Sequence, residues 1–206
     1  MKEKPSGEGR KSFPFFICIG IVFFLPALCL QSAKAQRAGE EKLTRYDQLA
    51  AEATLLNKRR QFDQVLSLLK PYQNDRQNGS SLFFNELGIA YRELGKLPQA
   101  AQAYRQALDR DPQNPVISYN LGYVFYLQKD YPRAVEQYQK ALESNPRFKE
   151  AHANLALVFY AQQRYQEALG EIEIFLKLDP HYHAAQKFRE KILNKLKGKP
   201  PSSPAR

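Results

Sequence analysis

The stretch "FFNELGIAYRELGKLPQAAQAYRQALDRDP", Phe83–Pro112, returns 34 residues later as "ISYNLGYVFYLQKDYPRAVEQYQKALESNP", Ile117–Pro146. It returns again after another 34 as "AHANLALVFYAQQRYQEALGEIEIFLKLDP", Ala151–Pro180. Leu87, Leu121 and Leu155 match across the three units. So do Gly88, Gly122 and Ala156, then Tyr91, Phe125 and Phe159, then Ala100, Ala134 and Ala168. Ala107, Ala141 and Phe175 correspond with looser size, and Pro112, Pro146 and Pro180 close the units. A period of this length marks a repeat architecture, in which each unit buries its apolar face only by stacking on its neighbours.

Within a unit, the spacing is helical. Leu87, Gly88 and Tyr91 fall at i, i+1 and i+4, on one face of a first helix. Ala100, Tyr104 and Ala107 fall at i, i+4 and i+7, on one face of a second. The small residues Gly88 and Ala100 let the two helices approach closely. Asp-Pro or Asn-Pro then ends the second helix, because the residue before proline disfavours helical geometry. In this pattern of Leu-Gly, aromatic, Ala, aromatic, Ala and Pro the chain resembles the tetratricopeptide repeat family. The resemblance implies an all-α fold of helix–turn–helix repeats stacked into a right-handed superhelix, an α-solenoid, with a C-terminal capping helix.

The repeats are expected at 81–114, 115–148 and 149–182. Residues 36–80 are expected to hold N-terminal helices that include a degenerate repeat, "TRYDQLAAEATLLNKRRQFDQVLSLLKP" (Thr44–Pro71). There Phe62 stands at the turn position that Tyr131 and Tyr165 occupy later. Ala185, Phe188, Ile192 and Leu196 recur at helical spacing and predict a capping helix over 183–197, which a stack needs to cover its last apolar face. The tail 198–206 has the composition of a disordered segment.

The N-terminus is of another kind. A basic "MKEKPSGEGRK" leads into the apolar run "SFPFFICIGIVFFLPALCL" (Ser12–Leu30), then the small-x-small sequence Ala33-Lys34-Ala35. Residues 1–35 read as a signal peptide cleaved before Gln36, or as a retained membrane anchor, since the run is about long enough to span a bilayer. Either reading leaves the N-terminus behind and sends the repeats across the membrane. The expected localisation is therefore exported (periplasmic or extracellular) or membrane-anchored. Both cysteines, Cys18 and Cys29, lie in the apolar run, so the body has no disulfide, thiol nucleophile or cysteine metal site.

The 206 residues are 43% hydrophobic and 25% charged, ordinary for a globular domain, with a net charge of +10. Residues 1–35 hold five Lys/Arg and two Glu; without them the charge is +7. The excess is scattered, except for Lys187, Arg189, Lys191, Lys195, Lys197 and Lys199, which could attract an anionic surface or form a solvated end-helix face. No nucleic-acid partner is expected.

Placed on a helix at about 100° per residue, Tyr119, Tyr123 and Tyr126 form a stripe apart from the packing residues Leu121, Gly122 and Phe125. The equivalents are Asn85, Ile89 and Arg92 one repeat earlier, and Ala153, Leu157 and Tyr160 one repeat later. The resemblance implies that this stripe lines a concave groove that binds peptides or partner helices. Asn120 and Asn154 recur beside it, and their amides could hold a peptide backbone or make internal bonds; Glu86 interrupts that series. The expected groove is thus Asn85, Ile89, Tyr119, Asn120, Tyr123, Tyr126, Asn154, Leu157 and Tyr160. Some members of the family clamp a C-terminal carboxylate with basic residues. Here those positions hold Asn85, Ile89, Asn120, Glu150 and Asn154, which argues against such a clamp.

No phosphate loop, zinc-protease helix or activated nucleophile is present, and the carboxylates Glu86, Glu136 and Glu171 are dispersed along helices. His181 and His183 lack further metal ligands nearby. The expected function is a non-enzymatic protein–protein interaction module that needs no cofactor or metal. It would bind a protein or peptide segment in the groove, with membrane association possible through the N-terminal apolar segment. The other expectation is a structural or assembly factor of a membrane-associated complex, acting through its convex face or basic C-terminal helix.

Overall fold

The computed structural model describes residues 45–74 and 79–198. The signal or anchor segment and most of the tail lie outside the described residues. Helix α1 covers 45–58, followed by α2 (Phe62–Leu69) and a 3-10 turn, Lys70–Tyr72. Then come α3 (Ser81–Glu93), α4 (Leu97–Leu108), α5 (Pro115–Leu127), α6 (Tyr131–Ser144), α7 (Lys149–Ala161), α8 (Tyr165–Leu178) and α9 (His183–Lys197). Among the described residues there is no strand, and no helix is long and apolar enough to cross a membrane.

Local chemistry places the helix starts. Ser80 accepts a hydrogen bond from the Phe83 amide, and Asn114 Oδ1 accepts from Val116 and Ile117. Asp130 Oδ1 accepts from the Arg133 amide. Each satisfies backbone donors that the first helical turn leaves free. Pro115 opens α5 at the first position, where its missing N–H costs nothing.

The turn inside each hairpin is built the same way. Arg60, Gly95, Lys129 and Gln163 all adopt positive φ, between 59° and 72°. The next residue then donates back five positions, as in Lys96 N–H to the Tyr91 carbonyl (2.8 Å) and Asp130 N–H to that of Phe125 (2.9 Å). This is a Schellman closure, which usually takes glycine at the left-handed position. Only Gly95 supplies it here.

Packing follows the repeat. Helices pair as α3 with α4, α5 with α6, and α7 with α8, and each second helix lies against the next first helix. Tyr104 and Tyr138, both fully buried, cross the first helix at Gly88 and Gly122. A Cβ on either glycine would fall 2.7 or 2.8 Å from the ring. In the third hairpin the matching pair is Ala156 and Ile172, also buried: a smaller partner where the first helix carries a methyl group. Leu87, Leu121 and Leu155 complete the core, with Ala90, Val124 and Val158. Arg133 and Arg164 lie over the rings of Phe125 and Phe159, covering the core from outside. Tyr46, Ala50, Ala53, Val65 and Leu69 of α1 and α2 join the same core, and α9 closes it with Ala185 and Ile192.

The first helices of successive hairpins approach one another more closely than the second helices do. The α3, α5 and α7 side is therefore the inner side of the stack, and α9 takes the next first-helix place. It is a solenoid of helical hairpins.

Candidate partner-binding surface

The inner side carries two different surfaces. At its N-terminal end the polar residues are spent on one another. Arg92 donates to Asn120 Oδ1 (3.3 Å), Asn120 Nδ2 to Asn85 Oδ1 (3.1 Å), and Asn85 Nδ2 to Glu86 Oε1 (3.3 Å). From the other side Asn57 Nδ2 donates to Glu86 Oε2 (2.7 Å) and to its carbonyl (3.0 Å). Asn85, Glu86 and Asn120 are 9%, 5% and 7% exposed. The relay runs from a guanidinium to a carboxylate; the Asn85 and Asn120 amides both donate and accept, whereas Asn57 only donates and its buried Oδ1 has no partner among the described residues, and three helices are tied together. Glu86 is thus a buried acceptor, not a solvated carboxylate, because Asn57 and Asn85 replace its water.

Towards the C-terminal end the inner side is aromatic and apolar. Tyr123 and Tyr126 are half-buried and stack with ring centroids 6.2 Å apart. Arg92 lies 5.5 Å from the Tyr123 centroid, and Tyr126 packs on Tyr131. Ile89 is half-buried, Leu157 is 38% exposed, and Tyr160 rests between Tyr165 and Phe188, 5.3 Å from each. Tyr119 stands apart from its sequence neighbours. Its ring packs on Tyr138 (5.8 Å) and on Phe148 of the next connection (5.1 Å), and its hydroxyl accepts from Asn154 Nδ2 at 3.1 Å. Burial raises its phenol above the usual range.

Where α7, α8 and α9 meet, a cleft of about 390 Å³ opens beside Tyr119, Asn154 and Leu157, with Phe175, Tyr182 and Phe188 as its apolar walls. Glu150 and Lys149 stand at it as well, and Lys149 is paired with Asp179 at 2.8 Å. The structure thus joins Asn85 to Asn120 and Tyr119 to Asn154, and gathers Tyr119, Asn154 and Leu157 at the cleft. Ile89, Tyr123, Tyr126 and Tyr160 are spread along the face. The contribution of α9 and Phe175 to the cleft carries no signal in the first-helix periodicity. The looser size match at Phe175 was its one sequence hint.

His181 and His183 are exposed, and among the described residues no three His, Cys, Asp or Glu side chains converge on a metal position. The Tyr104 hydroxyl lies buried without a hydrogen-bond partner among the described residues, while that of Tyr138 has Asn154 within its reach.

No curated protein matches the chain. Among solved structures, the first such domain of Spaghetti (RPAP3), bound to HSP90 peptide SRMEEVD, is 27% identical with a TM-score of 0.56, covering 57% of this chain and 94% of that one. MamA superposes with a TM-score of 0.61 at 16% identity, covering 77% and 90%. The domain of Arabidopsis OM64 does so with 0.54 at 19%, covering 55% and 94%. The last two show likeness of fold alone. A tetratricopeptide repeat family profile matches residues 85–143 and again 128–183. Recurring sequence, hairpin stacking and these matches agree: the chain carries tetratricopeptide repeats, matched by the family profile over residues 85–183, and has the fold of a protein-interaction scaffold.

Proposed function

We propose that the inner, first-helix side binds an extended segment of a partner protein and performs no chemistry on it. The observation that carries this reading is the half-buried tyrosine and apolar surface, with Leu157 exposed, that ends in the α7–α9 cleft. Tyr123, Tyr126, Leu157 and Tyr160 offer contact area that the repeat core does not use, and the cleft can take one apolar anchor. The relay has consumed the Asn85 and Asn120 amides, so the peptide backbone would be held further along, near Asn154 and the Tyr119 hydroxyl. The RPAP3 domain, bound to a short peptide, supports this use of the fold. The carboxylate-clamp positions carry no cation here, so a different manner of anchoring follows.

The test places a photo-crosslinking residue at Leu157 or Tyr126 of the full chain, and at Glu173 on α8 as a comparison. Crosslinking to one partner from the first two positions and not from Glu173 is the expected result. Equal crosslinking from all three sinks the reading. The N-terminal pattern of residues 1–35 adds the proposal that the repeats act across a membrane from the site of synthesis. N-terminal sequencing of the mature protein checks it: a start at Gln36 supports cleavage, and an intact N-terminus in a soluble fraction overturns the proposal.

A further inference from the structure

The closing helix changes the chemistry of the face it completes. Lys187, Lys191 and Lys195 recur on α9 every four residues and share one stripe. Their counterparts 34 residues earlier are Ala153, Leu157 and Ala161, so a neutral row on α7 becomes a cationic row on α9. The Lys191 ammonium lies 5.1 Å from the Tyr160 ring centroid, which sets Lys191 against α7, next to the α9 residues Ala184, Ala185 and Phe188 that wall the cleft. All three lysines are exposed, and none takes part in the ion pairs formed among the described residues. Arg92, Arg133, Lys140, Lys149 and Arg164 each hold a carboxylate, but most described cations do not, so the stripe is marked out by its alignment beside the cleft and not by its lack of partners. A helix C-terminus favours cations and accounts for Lys195, but not for Lys187 near the N-terminal end of α9. Glu190 on α9, Glu150 at the cleft and Asp179, which Lys149 holds, are acidic residues at this end of the stack.

From this juxtaposition of an apolar cleft and an unmatched cationic stripe, we infer that the bound segment is acidic: an apolar anchor followed by carboxylates that lie along α9. The inference rests on the inner-face reading above and names its partner class. Lysines four residues apart are separated by about 6 Å along the helix. Alternate residues of an extended peptide are about 6.6 Å apart. Carboxylates at alternate positions therefore fit the stripe. A flat anionic bilayer would instead meet the outward cations Arg189 and Lys197, away from the cleft.

The test selects short random peptides displayed against the full chain in mild detergent. The selected peptide is then measured by fluorescence anisotropy. Enrichment of peptides with an apolar residue followed by alternating Asp or Glu is expected. Lys187→Gln/Lys191→Gln/Lys195→Gln should lower affinity on the order of tenfold, since each exposed pair contributes modestly. Lys177→Gln/Arg189→Gln/Lys197→Gln, with the same loss of charge, should have a smaller effect. High salt should weaken the wild-type complex as screening shortens the range of the charges. Peptides enriched without acidic bias, and lost on Leu157→Asp, would leave the inner-face reading standing and overturn this one. Acidic peptides that still bind Leu157→Asp unchanged would overturn both, as would no enrichment at all. Vesicles one-third phosphatidylserine that bind in a stripe-dependent way, with no acidic peptide selected, would also overturn it in favour of a membrane surface.

Discussion

Replacing Gly122 by Ala tests the packing logic of the repeat at its tightest point. The new Cβ would stand 2.8 Å from Tyr138 Cε1, 2.9 Å from Cδ1 and 3.3 Å from the Ala134 carbonyl oxygen. Ordinary contact lies near 3.4 Å or beyond, so the ring must retreat by about 0.6 Å inside a close-packed core. Tyr138 is fully buried and has nowhere free to go. Overpacking of this kind costs about 1–3 kcal/mol. Alanine recovers about 1 kcal/mol over glycine in a helix interior. The net expectation is a loss of about 1 kcal/mol. Gly170 on α8 supplies the opposite case, because a Cβ there meets nothing within 4 Å. Gly170→Ala should therefore gain about 0.5–1 kcal/mol from helix propensity alone. The third repeat, with Ala156 opposite Ile172, also suggests the remedy. Gly122→Ala combined with Tyr138→Ile should cost less than the sum of the single changes, by about 1 kcal/mol. Urea unfolding followed by far-UV circular dichroism reads all four variants. Gly122→Ala as stable as the parent, or a strictly additive pair, would refute the argument.

Three further expectations follow from the same interior. Tyr104→Phe deletes a buried hydroxyl without a partner among the described residues, so stability in urea should hold or rise by up to about 1 kcal/mol, and a loss would mean the hydroxyl is bonded; Tyr138→Phe should gain less, because Asn154 offers that hydroxyl a hydrogen bond. Burial holds both phenols above their ordinary value of 10.0. The fold favours the neutral form, so this contribution is complete below pH 10.0 and is lost as pH rises further. Alkaline titration should show tyrosinate absorbance in two stages, the second coinciding with loss of helix and shrinking in the Phe variants. Lys129 holds the left-handed turn position with φ 59°, so Lys129→Gly should raise the urea midpoint, by under about 1 kcal/mol in stability; a lower midpoint would show that the turn is not strained.

The hairpins and their core were legible because repeat packing is set by local spacing. Leu87, Tyr104 and Gly88 meet within one unit, and the 34-residue register copies that meeting twice. The inner face follows different rules. Tyr119 lies off the packing stripe of its own helix, yet Phe148, from the following connection, closes over it. No period predicts that, since it depends on where the next unit sets down its turn. Asn120 recurs at Asn154 as if to serve a peptide, but Asn57, Asn85 and Arg92 draw Asn120 into the relay with Glu86, and Asn57 comes from the unit with the weakest register. A buried amide takes whichever partner is fixed and dry, and Glu86 is both. The cleft depends in the same way on a helix outside the repeats, α9, which occupies a first-helix place with lysines where α7 has Ala and Leu. Repetition thus encodes the scaffold, and the departures from repetition, Glu86 at one end and the α9 lysines at the other, set the polarity of the surface it presents.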